Sequence, residues 1–298
     1  MTIQLYQQTL PHDVTLSCRA SGERGRPVLM FLHGFPEAAF VWDELLEHFA
    51  AQGYRCIAPN LRGFERSTQP KDVKLYRPKY LVQDIAALAA IEGAPLECLV
   101  AHDWGGAVAW NLANQHPELA KRLAIINSPH PGTFLRELKT NPRQQAASAY
   151  MDFLIRPDSE TLLRANDYER MWGFFSRDGA DAWMTDELKA KYREVWDLSL
   201  EGGCNYYRAS PLRPSTAAGI EIPLEMLTID IPTFVLWGME DRALPPELVE
   251  GLGDYIPDLE LERVPGASHW IVHEQPALVM QRLGAFLNKA PARPAAAS

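Results

Sequence analysis

The segment Leu99-Val100-Ala101-His102-Asp103-Trp104-Gly105-Gly106 constrains this chain more than any other. An apolar run ends at Ala101 and a helical pattern begins near Gly105, so the chain must pass abruptly from strand to helix. Small residues, Ala101 and Gly105, stand two before and two after Asp103. Larger side chains there would collide with the strand and the helix. The pattern is that of a nucleophile elbow, G-x-S-x-G, with aspartate in the serine position. Such a turn leaves its central side chain projecting at the C-terminal edge of a sheet, at a helix N-terminus, where negative charge is favoured. Taken alone, Asp103 could equally be a simple N-cap, and the remaining motifs argue against that.

An aspartate in this place changes the chemistry. A hydroxyl nucleophile must lose its proton to a base, whereas a carboxylate with an ordinary pKa of about 3.9 is already charged at neutral pH. Attack on an amide would give an anhydride, a poor intermediate. Attack on a saturated carbon that bears a leaving group gives a stable alkyl ester, whose carbonyl water can then attack. The substrate is therefore expected to be opened or displaced at an sp³ carbon.

Two later segments supply partners. The strand pattern Thr233–Trp237 runs into Gly238-Met239-Glu240-Asp241-Arg242. A carboxylate just past a strand end can reach the rim of the site, and Asp241 is preferred over its neighbour Glu240. The pattern Leu259–Val264 leads into Pro265-Gly266-Ala267-Ser268-His269-Trp270, a glycine-containing loop that presents His269 as a base. The order nucleophile, acid, histidine is the order of the α/β-hydrolase triad. His116 and His130 read as structural, and His273 as a surface or helix-start residue. After the strand pattern Val28–Leu32, the loop His33-Gly34-Phe35-Pro36-Glu37 can aim a backbone N–H at the nucleophile. The N–H groups of Phe35 and Trp104 would together form an oxyanion hole.

The rest of the chain fits a scaffold for such a site. Strand patterns at 28–32, 54–58, 96–101, 123–127, 233–237 and 259–264 alternate with helical ones at 42–49, 80–91, 107–115, 247–255 and 277–288. In the second helix Leu81, Ile85 and Leu88 fall on one face. This alternation implies a mostly parallel sheet covered on both faces. It breaks from about 132 to 224, where helical patterns and many aromatics replace strands. The expected organisation is a core of 1–131 and 225–289, a helical insertion over 132–224, and a disordered tail over 290–298, rich in Pro and Ala.

Composition excludes several classes of function. The 298 residues carry 29 Lys+Arg against 38 Asp+Glu, a net charge of -9, which disfavours nucleic acid. No run is long and apolar enough to span a bilayer, and the N-terminus lacks the basic and apolar regions of a signal peptide. Cys18, Cys56, Cys98 and Cys204 form no CxxC pair. Cys56 and Cys98, in strand patterns, read as small buried thiols, and the set fits a cytoplasmic setting without disulfides or a metal cluster. No cofactor or metal is expected.

Together the motifs His33-Gly34-Phe35-Pro36-Glu37 and His102-Asp103-Trp104-Gly105-Gly106 resemble those of the α/β-hydrolase superfamily, in particular its epoxide hydrolase branch, and the resemblance extends over about residues 10–288. It implies an α/β-hydrolase fold: a mostly parallel eight-stranded sheet flanked by helices, with the insertion as a cap. It also implies two cap tyrosines that hydrogen-bond the epoxide oxygen. Asn205-Tyr206-Tyr207-Arg208 matches the family's N-W-Y-R motif and gives Tyr207. Tyr150, seven residues before Pro157, matches the other. An alkoxide leaving group needs a proton donor, and a phenol in a dry pocket can serve.

The catalytic set implied is Asp103, His269, Asp241, Tyr207 and Tyr150. Phe35, Trp104, Tyr150, Tyr207 and Trp270 are the substrate-binding set. The partners expected are a small apolar epoxide and water, with room for a homodimer. Haloalkane or haloacetate dehalogenases share the nucleophile and form one alternative, and a non-catalytic ligand-binding protein of the same fold is another. Fluoroacetate dehalogenases resemble the chain less, since Trp104 and Ala107 stand where they carry arginines. One turn departs from the family pattern D-x-R-G-x-G-x-S: it reads Asn60-Leu61-Arg62-Gly63-Phe64-Glu65-Arg66-Ser67.

Overall fold

A computed structural model describes residues 2–175 and 182–289, so the expected tail at 290–298 lies outside the described residues. Its strands are β1 (Gln4–Thr9), β2 (Thr15–Ser21), β3 (Val28–Leu32), β4 (Arg55–Pro59), β5 (Cys98–His102), β6 (Leu123–Ile126), β7 (Thr233–Gly238) and β8 (Leu259–Val264). They form one sheet in the order β1-β2-β4-β3-β5-β6-β7-β8. From β4 to β8 all neighbours are parallel, while β1–β2 and β2–β4 pair antiparallel.

Alternation within each central strand feeds two cores. In β3, Val28, Met30 and Leu32 join the core under α2 (Pro78–Glu92) and α3 (Trp104–Gln115), after α1 (Asp43–Ala50) in the chain. Leu29 and Phe31 join the core on the opposite face, under α1 and the C-terminal helices. Phe31 is fully buried, with ring centroids 5.4 Å from Trp42 and 6.4 Å from Phe49. Truncating such a ring to alanine typically costs about 3–5 kcal/mol. Burial on both faces explains why the central strands read as continuous apolar runs.

Between β6 and β7 the described residues form only helices and short turns: α4 (Pro131–Thr140), α5 (Pro142–Ala147), α6 (Tyr150–Leu154), α7 (Ser159–Phe175) and α8 (Asp186–Ala209). α7 is broken at 165–168 by positive φ angles at Asn166, Asp167 and Tyr168, and α8 at Ser199. α9 (Ile271–Glu274) and α10 (Pro276–Leu287) follow β8. Among the described residues no helix is long and apolar enough to cross a membrane. All four cysteines are buried and unpaired.

Two expectations are corrected. The N-terminal hairpin β1–β2 was not located in the sequence. β1 is a largely exposed, polar edge strand, and such strands carry no apolar run. The helix expected at 247–255 is instead two 3-10 turns, Pro246–Val249 and Leu252–Asp254. Gly251, at φ 76°, is left-handed between them and ends any helical propagation.

The unusual turn at 60–67 is internally compensated. Glu65 takes φ 50°, where the related pattern has glycine. Its carboxylate accepts from the Asn60 amide at 3.0 Å and from the Ser17 hydroxyl. An aspartate at 60 would set two carboxylates against each other, so the two departures belong together. Asn60 also accepts from Ala39 N–H at 2.7 Å.

Candidate active site

Asp103 lies between the end of β5 and the start of α3, with φ 49° and ψ -123°, and its side chain makes no capping hydrogen bond to that helix. The tightness of the turn is visible at Gly105, where a Cβ would lie 2.4 Å from the carbonyl oxygen of Leu32. A Cβ on Gly34 would meet Asp103 Oδ1 at 2.2 Å, which lets the loop after β3 close on the carboxylate. Phe35 N–H donates to Asp103 Oδ1 at 2.7 Å. Burial pushes the Asp103 carboxyl up; positive charge at His269 and His102 and the N–H groups of Trp104 and Phe35 oppose that. Its side chain keeps 13% exposure, enough to meet a ligand.

Oδ2, the other oxygen, faces His269 Nε2 at 3.8 Å. His269 Nδ1 donates to Asp241 Oδ2 at 2.6 Å. Asp241 is wholly buried and its acceptors are filled. Oδ1 takes the N–H of Ala243 and Leu244 at 2.9 and 2.8 Å, and Oδ2 also takes the Asn127 amide at 2.8 Å. Such a carboxylate can only orient and charge-balance the imidazole. Burial lowers the His269 pKa, but Asp241 first, then Asp103 and Glu37, outweigh it and hold it at about 9. Glu240, the competing carboxylate, lines the cavity and is not the group bonded to His269.

The cavity above Asp103 holds about 230 Å³ and is lined by Phe35, Tyr150, Phe174, Tyr207, His269 and Trp270, among others. A second, more apolar cavity of about 300 Å³ shares Asp103 and Tyr150 and is walled by Trp104, Met151, Leu212 and Ile222. Tyr207 on α8 and Tyr150 on α6 stand 5.9 Å apart between ring centroids. Tyr207 meets Phe35 and Trp104 edge-on at 5.3 and 5.1 Å. Burial, then the neighbouring phenol and Asp103, push the Tyr207 hydroxyl far above its usual value; burial and then Asp103 do the same for Tyr150. Both remain neutral donors. The Trp270 indole donates to Phe174 O at 3.2 Å, which ties the histidine loop to α7. Every residue of the expected catalytic and substrate-binding sets lines one of these two cavities.

Three contributors escaped the sequence reading. Asn127, at the end of β6 with φ 38°, accepts from Gly238 N–H at 2.8 Å while holding Asp241. Its place at a strand's C-terminal end was the available signal. Glu37 is 1% exposed, with Oε2 3.3 Å from His102 Nδ1 and Oε1 2.6 Å from His273 Nε2. His273, read as a surface or helix-start residue, does lie in the first turn of α9 but is half-buried rather than on the surface, its ring stacked on Trp183 at 4.5 Å. Apolar surroundings from distant segments cover it, which local sequence does not display.

A family model described as alpha/beta hydrolase fold matches residues 27–276. The chain is 36% identical over 280 residues to an AB hydrolase superfamily protein of Bacillus subtilis, spanning 93% of this chain and 96% of that one. It is 32% identical over 281 residues to epoxide hydrolase 4 of Mus musculus, spanning 91% and 75%. Among solved structures it is similar to the Bacillus megaterium epoxide hydrolase in complex with an inhibitor, with TM-score 0.88, 29% identity and 95% and 100% of the chains covered. It is also similar to an epoxide hydrolase from metagenomes of hot environments, with TM-score 0.87, 34% identity and 97% and 100% covered.

Proposed function

The chain belongs to the epoxide hydrolase branch of the α/β-hydrolase family, and we propose that it converts an epoxide to a vicinal diol through an alkyl ester on Asp103. Asp103 Oδ2 attacks the less hindered ring carbon; that C–O bond breaks as the ester forms. Tyr150 and Tyr207 give a proton to the departing ring oxygen. Oδ1, already held by Phe35 N–H, becomes the ester carbonyl oxygen. When water attacks Cγ, negative charge develops on Oδ1, against the N–H groups of Phe35 and Trp104. His269 takes the water proton, and Asp241 keeps its ring in place. Collapse expels the diol with the original Oδ2 and leaves a water-derived oxygen on Asp103.

Electrostatics support the sequence of steps. In the resting site the charge of Asp103 helps to hold His269 protonated. Esterification removes that charge, so the imidazole moves toward its neutral, basic form when a base is required. The single observation that carries the reading is one cavity bordered by Asp103, His269, Tyr150 and Tyr207, with the carboxylate oxygen 3.8 Å from the imidazole.

The residues 132–224 act as the cap over the core of 1–131 and 225–289 in this reading. Free buried cysteines fit a cytoplasmic setting. The experiment is turnover in H₂¹⁸O. Under single turnover with excess enzyme the diol should be unlabelled, and after repeated turnovers the label should appear in Asp103. An unlabelled Asp103 rules out the ester.

A further inference from the structure

Three carboxylates and three imidazoles meet behind the reacting groups. Asp241 and Asp103 face His269, while Glu37 faces His102 and His273. Glu37 belongs to the loop after β3, His102 to β5 and His273 to α9. From α8, Tyr192 donates its hydroxyl to the same Glu37 Oε1 at 2.7 Å and lies 3.2 Å from His273 Nε2. A carboxylate only accepts, so His273 Nε2 must carry a proton in this contact. Burial raises the Glu37 carboxyl, but the nearby His273 and His102 imidazoles and the hydrogen bond from His273 prevail and hold it well below the usual range. Behind it His33 is kept neutral, lowered by burial to about 4.

This carboxylate reaches the catalytic loop by one further link. His102 Nε2 donates to the backbone carbonyl of His269 at 2.9 Å, and the two rings stand 4.6 Å apart. Since Nε2 is committed to a carbonyl, His102 faces Glu37 with Nδ1, 3.3 Å from Oε2, at ion-pair distance but without hydrogen-bond geometry. His273 also sits on the same short stretch as His269: its N–H donates to Trp270 O at 2.9 Å, and the adjacent Glu274 holds Ser268 through N–H and hydroxyl at 2.8 and 2.5 Å. Within the ring formed by Glu37, His102 and the histidine loop, His273 is the contact that closes the circle.

We propose that His273 is a positioning residue for the hydrolytic half-reaction: by donating to Glu37 it fixes the carboxylate that holds His102 against the His269 loop. The inference rests on the ester reading above. His273 touches no reacting atom. Its loss leaves Glu37 with one donor fewer, so the carboxylate's charge bears more strongly on His269, which already responds to it. The imidazole should then be harder to deprotonate and its loop less constrained. Formation of the ester, which needs neither, should be spared.

The test separates the two half-reactions by rapid quench and mass spectrometry of the Asp103 peptide, with styrene oxide as the probe. In His273→Phe, which keeps a ring over Trp183 and donates nothing, ester decay should slow about tenfold while formation stays within about threefold. The pH at which decay reaches half its plateau should rise by about half a unit. His273→Gln keeps an N–H donor and should restore decay and its pH dependence. Decay at the wild-type rate in His273→Phe overturns the proposal, and so does equal slowing of both steps, the mark of a merely structural role. If His273→Phe does not fold, Tyr192→Phe removes another donor from the same oxygen. Slowed decay there supports the proposal, and unchanged decay overturns it. Absence of the ester in the wild-type enzyme would instead refute the reading on which the inference rests.

Discussion

Asp103, His269 and Asp241 look across one cavity at Tyr150 and Tyr207, and the two groups are held by different physics. The first three stand on turns just past the ends of β5, β8 and β7, where backbone geometry dictates direction. Asp241 accepts four hydrogen bonds, and Asp103 is gripped by the loop after β3. The tyrosines sit on α6 and α8, and their neighbours are ring edges: Phe174 and Tyr207 for one, Phe35 and Trp104 for the other. Aromatic edge contacts define a position with less directional force than charge-assisted hydrogen bonds do. Groups that handle full charges thus sit on the more rigid layer. The layer that only lends a proton is also the one that shapes the cavity.

That contrast predicts which half-reaction each side controls. The largest effect belongs to the core: Asp103→Asn should lower diol formation by about 10⁴-fold or more. His269→Gln should still form the ester and then stall, so one equivalent of epoxide should be consumed with no diol released, and the added mass should persist on Asp103. Next comes the cap. Tyr150→Phe combined with Tyr207→Phe should slow ester formation by about 10²-fold and leave ester decay unchanged. If the tyrosine pair proved to control decay, the division of labour would be wrong.

Smaller effects refine the core side. Asn127→Ala removes the amide from Asp241 and should cost about 1–3 kcal/mol of stability in denaturant titration, with ester decay slowed more than ester formation. The smallest effect concerns pH. His269 is raised to about 9 in the fold from an ordinary value near 6.5, so the folded state binds its proton more tightly than the unfolded one. Its stabilising contribution is complete below about pH 6.5 and fades as pH rises through about 9. The melting temperature of wild type relative to His269→Gln should therefore fall by about 2–4 °C between pH 6 and 9.5. A constant difference would mean that the imidazole is not ion-paired with Asp241.

What was legible in the sequence follows how local each signal is. β3 to β7 announce themselves because strands covered on both faces must be apolar throughout, whereas β8, a half-buried edge strand, shows through its alternating Leu259, Leu261 and Glu residues. The turn at Asp103 is legible because its steric demands fall on its immediate neighbours, Ala101 and Gly105. β1 was lost because an exposed edge needs no apolar residues. The segment at 247–255 misled because its apolar spacing suits a helix that Gly251 interrupts. Asn127 and His273 were missed for another reason. Their partners Asp241 and Glu37 lie 114 and 236 residues away, and beyond Asn127's place at a strand end nothing local advertises such a contact.

The backbone at Asp103, with φ 49° and ψ -123°, is one that side-chain-bearing residues rarely tolerate, and holding it costs about 1–3 kcal/mol. The molecule is accordingly less durable than its own architecture would allow. Selection for heat resistance alone, blind to turnover, should favour glycine at this position, giving a sturdier protein that does nothing. Stability and activity pull in opposite directions at a single residue, so thermostabilising this scaffold requires gains elsewhere while that local tension is left in place.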